Sequence, residues 1–126
     1  FNMVGGKWLY MSNGTLEAWP NIFTLYTLQE MKHPDGEREY CDEKEAYLAD
    51  GTYLDNFKDN PWLGLCFLMT FQEQYDWSFF TDFYVELDKG DAPYGDEAWN
   101  WTRDRFNEVA GTDTTATFLE WKLPVD

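Results

Sequence analysis

Apolar positions recur along this chain at spacings of three and four, the period of a helix with one buried face. From Leu16 or Pro20 to about Lys32, Ile22, Phe23, Leu25, Tyr26 and Leu28 form a broad apolar face, which predicts a largely buried helix. Pro20 is expected in its first turn, where a missing N–H costs nothing. Residues 1 to 13 read as a lead-in with turns at Gly5, Gly6 and "SNG". "HPDGE" at 33–37 is a stop and a turn. "DEKEAYLADG" predicts a short helix capped by Asp42 and ended by Gly51. "DNPWLGLCFLMTFQEQ" predicts another, with Asn60 as cap and Pro61 at the first position. Its stripes, Trp62–Leu65–Cys66–Met69 and Leu63–Phe67–Phe71, lie on two faces and mark a central helix.

The next helix is expected to start at Ser78, after a left-handed residue at Asp76, with Phe79, Phe80, Phe83, Tyr84 and Leu87 inward. A further helix, about Asp96 to Ala110, carries Trp99, Phe106 and Val109 and stops at Gly111. "TDTTATFLEWKLPV" predicts a last short helix with a Thr cap. No strand pattern of useful length is present. The expected fold is all-α, an orthogonal bundle of about five helices forming a single helical domain or subdomain over residues 1–126.

Composition sharpens this picture. Seven Trp, eight Tyr and ten Phe in 126 residues argue against disorder and for a core built of rings. No window reaches the roughly 18 consecutive apolar residues of a membrane span. The start, "FNMVGGKWLY", lacks the plan of a signal peptide and does not begin with Met, so the chain is expected to be cut from something longer. The net charge of −15 disfavours nucleic acid and anionic membranes as partners. Cys41 and Cys66 match no zinc ribbon or redox spacing; Cys66 suits a core thiol, and a disulfide is equally open.

Catalytic chemistry within the chain is sparse. One His, His33, sits in a polar turn, so no triad and no His-based metal site can be built. "DKGDAPYGDE" at 88–97 is acidic but fails the EF-hand spacing, with Gly90 and Ala92 where ligands belong. "NGT" at Asn13 and "NWT" at Asn100 match the glycosylation sequon.

Four segments in order carry a resemblance: "GTLEAWPNIFTLYTLQE", "YLDNFKDNPWLGLCFLMTFQEQYDWSFF", "FYVEL" and "VAGTDTTATFLEWKLPV". They cover almost the whole chain. They are similar to the C-terminal half of the enhancin-like zinc metallopeptidases, gluzincins of metallopeptidase family sixty that cleave mucins and glycoproteins. In that family a His-Glu-x-x-His helix gives two zinc ligands and the general base, and a Glu on the next helix gives the third ligand. The resemblance puts Glu17 at that third-ligand position, with Trp19 and Asn21 beside it as candidate substrate-binding residues. It implies zinc as cofactor, the N-terminal part of the same catalytic domain as partner, a glycoprotein or peptide substrate, and an extracellular or cell-surface location.

The sequence also departs from the pattern. The His-Glu-x-x-His segment is absent, so this chain cannot complete a zinc site by itself. The family's Gly before Trp is Asp76 here, and Pro20 could push the helix start later and leave Glu17 in the preceding turn. Glu17 then has a second reading, as an acid that favours a helix N-terminus. The alternative function is a non-catalytic helical module of an inactive homologue that binds carbohydrate or protein, with Trp8, Tyr10, Trp19, Tyr94, Trp99 and Trp101 as candidate contacts.

Overall fold

A computed structural model describes residues 9–34 and 40–126. Six α-helices and one π-helical turn build this part: α1 Asn13–Glu30, α2 Lys44–Asp50, the π-turn Tyr53–Phe57, α3 Pro61–Tyr75, α4 Ser78–Asp88, α5 Asp96–Ala110 and α6 Thr115–Glu120. The fold is all-α. Among the described residues the one β-type pairing is an isolated parallel bridge between Tyr10 and Tyr94. There the Gly95 N–H donates to the Tyr10 carbonyl at 2.9 Å.

α1 corrects the expected boundary. It begins at Asn13, before Glu17, and Pro20 lies inside it. The reason is the cap. Ser12 is extended at φ −160°, its Oγ accepts from the Thr15 N–H at 3.3 Å, and Thr15 Oγ1 accepts from the Ser12 N–H at 3.1 Å. This is a capping box with Thr in the place usually held by Glu or Gln. A proline inside a helix costs about 3 kcal/mol. Burial of Ala18, Trp19, Ile22 and Leu25 on the same helix offsets it, at roughly 1.5–3 kcal/mol for each large side chain.

α3 is the central helix. Asn60 Oδ1 accepts from the N–H groups of Trp62 (2.9 Å) and Leu63 (3.2 Å), and Pro61 opens the first turn. Residues Leu63 to Met69 are all buried, as is Phe71 two residues further on. Trp62, expected in an inward stripe, is instead exposed. α1 makes its most extensive contact with α3, and small residues permit it. Gly14 sits against the backbone of Asn60, and Gly64 faces Ala18 and Gly14.

Three caps differ from expectation. Ser78 is already helical, and Asp76 Oδ1 accepts from the Trp77 N–H at 2.8 Å instead. The residue before α2 is Glu43 rather than Asp42, with no side-chain cap bond, and Gly51 after it is extended rather than left-handed. Thr114 makes no side-chain cap to α6; Asp113 Oδ1 accepts from the Thr115 N–H at 2.9 Å. Asp76 takes the expected positive φ (72°), and Gly111 closes α5 at φ 71°.

The buried residues join in one cluster dominated by rings. Phe67 meets Phe118 at 5.0 Å and Trp121 at 5.6 Å, edge to face, while Phe106 meets Phe71 at 4.7 Å and Phe79 at 4.8 Å. Such pairs each add about 0.5–1.5 kcal/mol beyond area burial. Cys41 and Cys66 form a disulfide, with Cα atoms 5.2 Å apart, that ties the segment before α2 to α3. The C-terminal segment is tied to α2: the Tyr47 hydroxyl donates to the Trp121 carbonyl at 2.5 Å, and Lys122 Nζ donates to the carbonyls of Tyr47 (2.9 Å) and Gly51 (2.7 Å).

Candidate functional site

Glu17 sits in the first half of α1, on its solvent side. Helical spacing places Glu17, Asn21 and Thr24 together on this exposed face, while Ala18, Ile22 and Leu25 turn inward. The Asn21 amide donates to the Glu17 carbonyl at 3.0 Å, which uses the side chain to brace its own helix. The Glu17 carboxylate has no partner among the described residues. It is therefore a carboxylate on a rigid mount, facing outward. Because α1 starts at Asn13 and acids are absent from its first turn, Glu17 lies beyond the reach of a first-turn dipole role.

Trp19, beside it in sequence, points the other way. It is 0% exposed, stacks on Phe83 at 5.5 Å and meets Tyr84 edge to face at 6.4 Å. The structure makes it a core residue rather than a contact for ligands. The same holds for Trp99, buried with its indole N–H donating to the Tyr53 hydroxyl at 3.0 Å. Tyr94 is 76% exposed and stacks on Tyr10 at 4.5 Å; Trp101 is partly buried under the Arg105 guanidinium, 5.0 Å from the ring centre. Trp8 lies outside the described residues.

Among the described residues no group of three His, Cys, Asp or Glu is placed to hold a metal ion. The acidic loop after α4 forms no such group. A second acidic region, a groove of about 500 Å³ between α2, the π-turn and α3, gathers Asp42, Glu43, Asp50 and Asp55. Glu43 Oε2 is already engaged by the Asn60 amide at 3.1 Å. Both sequons lie in helices rather than surface loops. The Asn13 amide donates to Asp59 Oδ1 at 2.8 Å, and the Asn100 amide donates to Asp126 Oδ2 at 3.3 Å.

One feature was not anticipated as a site. Between α1 and α4 runs an apolar groove of about 590 Å³. Its floor is Ile22, Phe80 and Tyr84; its walls are Phe23, Tyr26, Trp77 and Val85. Phe23 stacks on Tyr84 at 5.1 Å, and Tyr26 meets Trp77 edge to face at 5.2 Å. Phe23 and Tyr26 each remain 44% exposed and Val85 54%. Burial raises the Tyr84 hydroxyl well above the ordinary tyrosine range. The sequence did hold the signal: α1 and α4 each carry more apolar positions than one buried face needs.

No protein-family model matches the chain, and no curated protein and no solved structure matches it either.

Proposed function

We propose that this chain is the C-terminal helical part of a zinc metallopeptidase domain acting on glycoproteins or mucin-like substrates, inactive by itself, with Glu17 as the third zinc ligand. The observation that carries this reading is the Glu17 carboxylate: without a partner among the described residues, outward-facing and mounted on a helix anchored along its other side by Ala18, Trp19 and Ile22. One carboxylate fits a ligand lent to a shared site, and the described residues hold no metal-binding group of their own. Zinc, when bound, lowers the pKa of its water towards about 7 and so supplies a hydroxide nucleophile. The task of this chain is positional. Packing of α1 on α3 fixes where the Glu17 carboxylate stands, and the Asn21 amide bond to the Glu17 carbonyl holds that turn of helix in shape. The other ligands and the general base belong to the N-terminal part of the same domain, the partner this reading requires. The Cys41–Cys66 disulfide supports an extracellular or cell-surface location, where disulfides persist.

Glu17→Gln in the full-length protein tests the assignment. The neutral amide is a poorer ligand, so zinc content and glycoprotein cleavage are both expected to fall, by at least the ten- to hundredfold that outer-shell changes cause. Wild-type zinc content with wild-type turnover would remove Glu17 from the metal site. It would leave the non-catalytic binding module as the surviving reading.

A further inference from the structure

We infer that Asn13 is the attachment site of an N-linked glycan and that Asn100, the Asn of the other sequon, is not. The inference shares with the proposed function only the extracellular location, which the Cys41–Cys66 disulfide supports. It does not depend on zinc or on Glu17.

The motif names the chemistry. The Asn amide nitrogen bonds to the anomeric carbon of an oligosaccharide carried on a lipid-linked diphosphate. The bond from that carbon to the diphosphate oxygen breaks, the diphosphate leaves with the electron pair, and the nitrogen gives up one of its two protons. The transferring enzyme must reach the Thr of the sequon as well as the Asn. In the folded chain it cannot, because Thr15 and Thr102 are both fully buried, and Thr15 Oγ1 is held in the capping box of α1. Transfer therefore precedes folding, and the fold decides which sugar it can close around.

At Asn13 the fold can close. This residue is the first of α1 and is exposed. Its linked nitrogen keeps one proton, enough to go on donating to Asp59 Oδ1 at 2.8 Å, and its Oδ1 still accepts from the Tyr10 hydroxyl. The direction is also open. N–H groups at a helix start point back along the axis. Here the Gly14 N–H donates to the Lys58 carbonyl at 2.9 Å, so residues 58–59 lie off the beginning of α1. The Asn13 amide, drawn to Asp59, aims that way and leaves the Glu17 turn clear. Beside it Tyr94 is 76% exposed and stacks on Tyr10 at 4.5 Å. The outer face of that ring is apolar surface that a first sugar can cover.

At Asn100 the fold resists. The residue is half-buried in α5. Its Oδ1 accepts from the Asp126 N–H at 2.8 Å, and its Nδ2 donates to Asp126 Oδ2 at 3.3 Å. Arg103 Nη1 holds the Asp126 carbonyl at 2.9 Å from the same helix. A sugar on Asn100 has to wedge between α5 and this segment.

The test secretes the chain from a eukaryotic cell line behind a cleavable secretion signal. Intact mass is measured before and after enzymatic release of N-glycans. Release turns a linked Asn into Asp, and peptide mass spectrometry reads that change at each sequon. Asn13 is expected to be occupied in most of the secreted, folded chain, with Asn100 bare. Asn13→Gln is expected to abolish the mass loss on release, and the helical circular dichroism of the wild-type chain is expected to be the same before and after release. Two results would overturn the inference: a bare Asn13 in the secreted wild-type chain, or Asn100 occupied as fully as Asn13. Because the host supplies the location, either failure falls on the sequon and leaves the zinc content of the full-length protein as the separate test of the proposed function.

Discussion

Tyr47 shows how one buried hydroxyl sets a pH limit. Its ring is buried and its O–H donates to the Trp121 carbonyl. Burial, with a smaller contribution from neighbouring Tyr53, pushes its pKa up to about 12. An unfolded tyrosine ionises near 10. The folded state therefore holds the proton more tightly, so the stabilisation is fully present below about pH 10 and is lost as pH rises towards 12. Urea midpoints measured across that window are expected to fall steeply. Tyr47→Phe should flatten the fall, while costing about 1 kcal/mol at neutral pH because the Trp121 carbonyl loses its donor. An unchanged slope in Tyr47→Phe would assign the alkaline loss to other groups. Asp76 is the second residue with a testable conformation. At φ 72° and ψ 176° it occupies a region almost confined to glycine, at a cost of about 1–3 kcal/mol. Its bond to the Trp77 N–H returns about 0.5–1.5 kcal/mol. Asp76→Gly is therefore expected to raise the stability by roughly 0.5–1.5 kcal/mol in denaturant titration. A loss would mean that the side-chain cap outweighs the backbone strain.

Two glycines decide how the helices approach. A Cβ on Gly14 would stand 2.7 Å from the Asn60 carbonyl oxygen and 2.9 Å from its backbone carbon and nitrogen. Those atoms form the cap of α3 and cannot turn away as a flexible side chain would. Gly14→Ala is expected to cost about 1–3 kcal/mol, the range for overpacking a filled interface. A Cβ on Gly64 would meet nothing closer than 3.4 Å, at Ala18 Cβ and the Gly14 carbonyl oxygen. There the gain in helix propensity, up to about 1 kcal/mol, has little to oppose it. Thermal melts of the two variants should thus move in opposite directions. If both fell equally, the contact between α1 and α3 would be uniformly tight rather than pinned at the Asn60 cap.

The described residues share one core and one covalent tie. The disulfide spans a sequence separation of 25 and connects the segment before α2 to the central helix. In the chain-entropy account a loop of this size is worth roughly 3 kcal/mol, by restricting the unfolded state. Replacing both cysteines by serine should lower the unfolding free energy by about that amount while leaving the helical circular dichroism in place. Most ring contacts of the core lie on other helices, which is why the fold itself is expected to survive. Equal stability of the oxidised chain and the double variant would show that the unfolded state is already compact around this pair.

Helical periodicity in the sequence determined the class of fold, the central place of α3 and the inward faces of α4 and α5. Those features follow from local rules: Asn60 caps, Pro61 starts, Gly111 stops, and apolar residues repeat at three and four. The start of α1 was also written locally, but in a Ser–Thr box that is easily passed over beside a proline. Other matters had no local signature. Trp19 and Trp99 stood as candidate ligand contacts beside a core reading until packing placed them in the core, because an aromatic ring suits either environment. The pairing of Cys41 with Cys66 depends on two segments meeting in space, which spacing alone does not fix. The outward placement of the Glu17 carboxylate, with no partner among the described residues, is likewise a tertiary fact: it depends on which face of α1 is used against α3. The groove between α1 and α4 depends on the large rings that meet between the two helices, and the volume left there is a property of the packing, not of either helix.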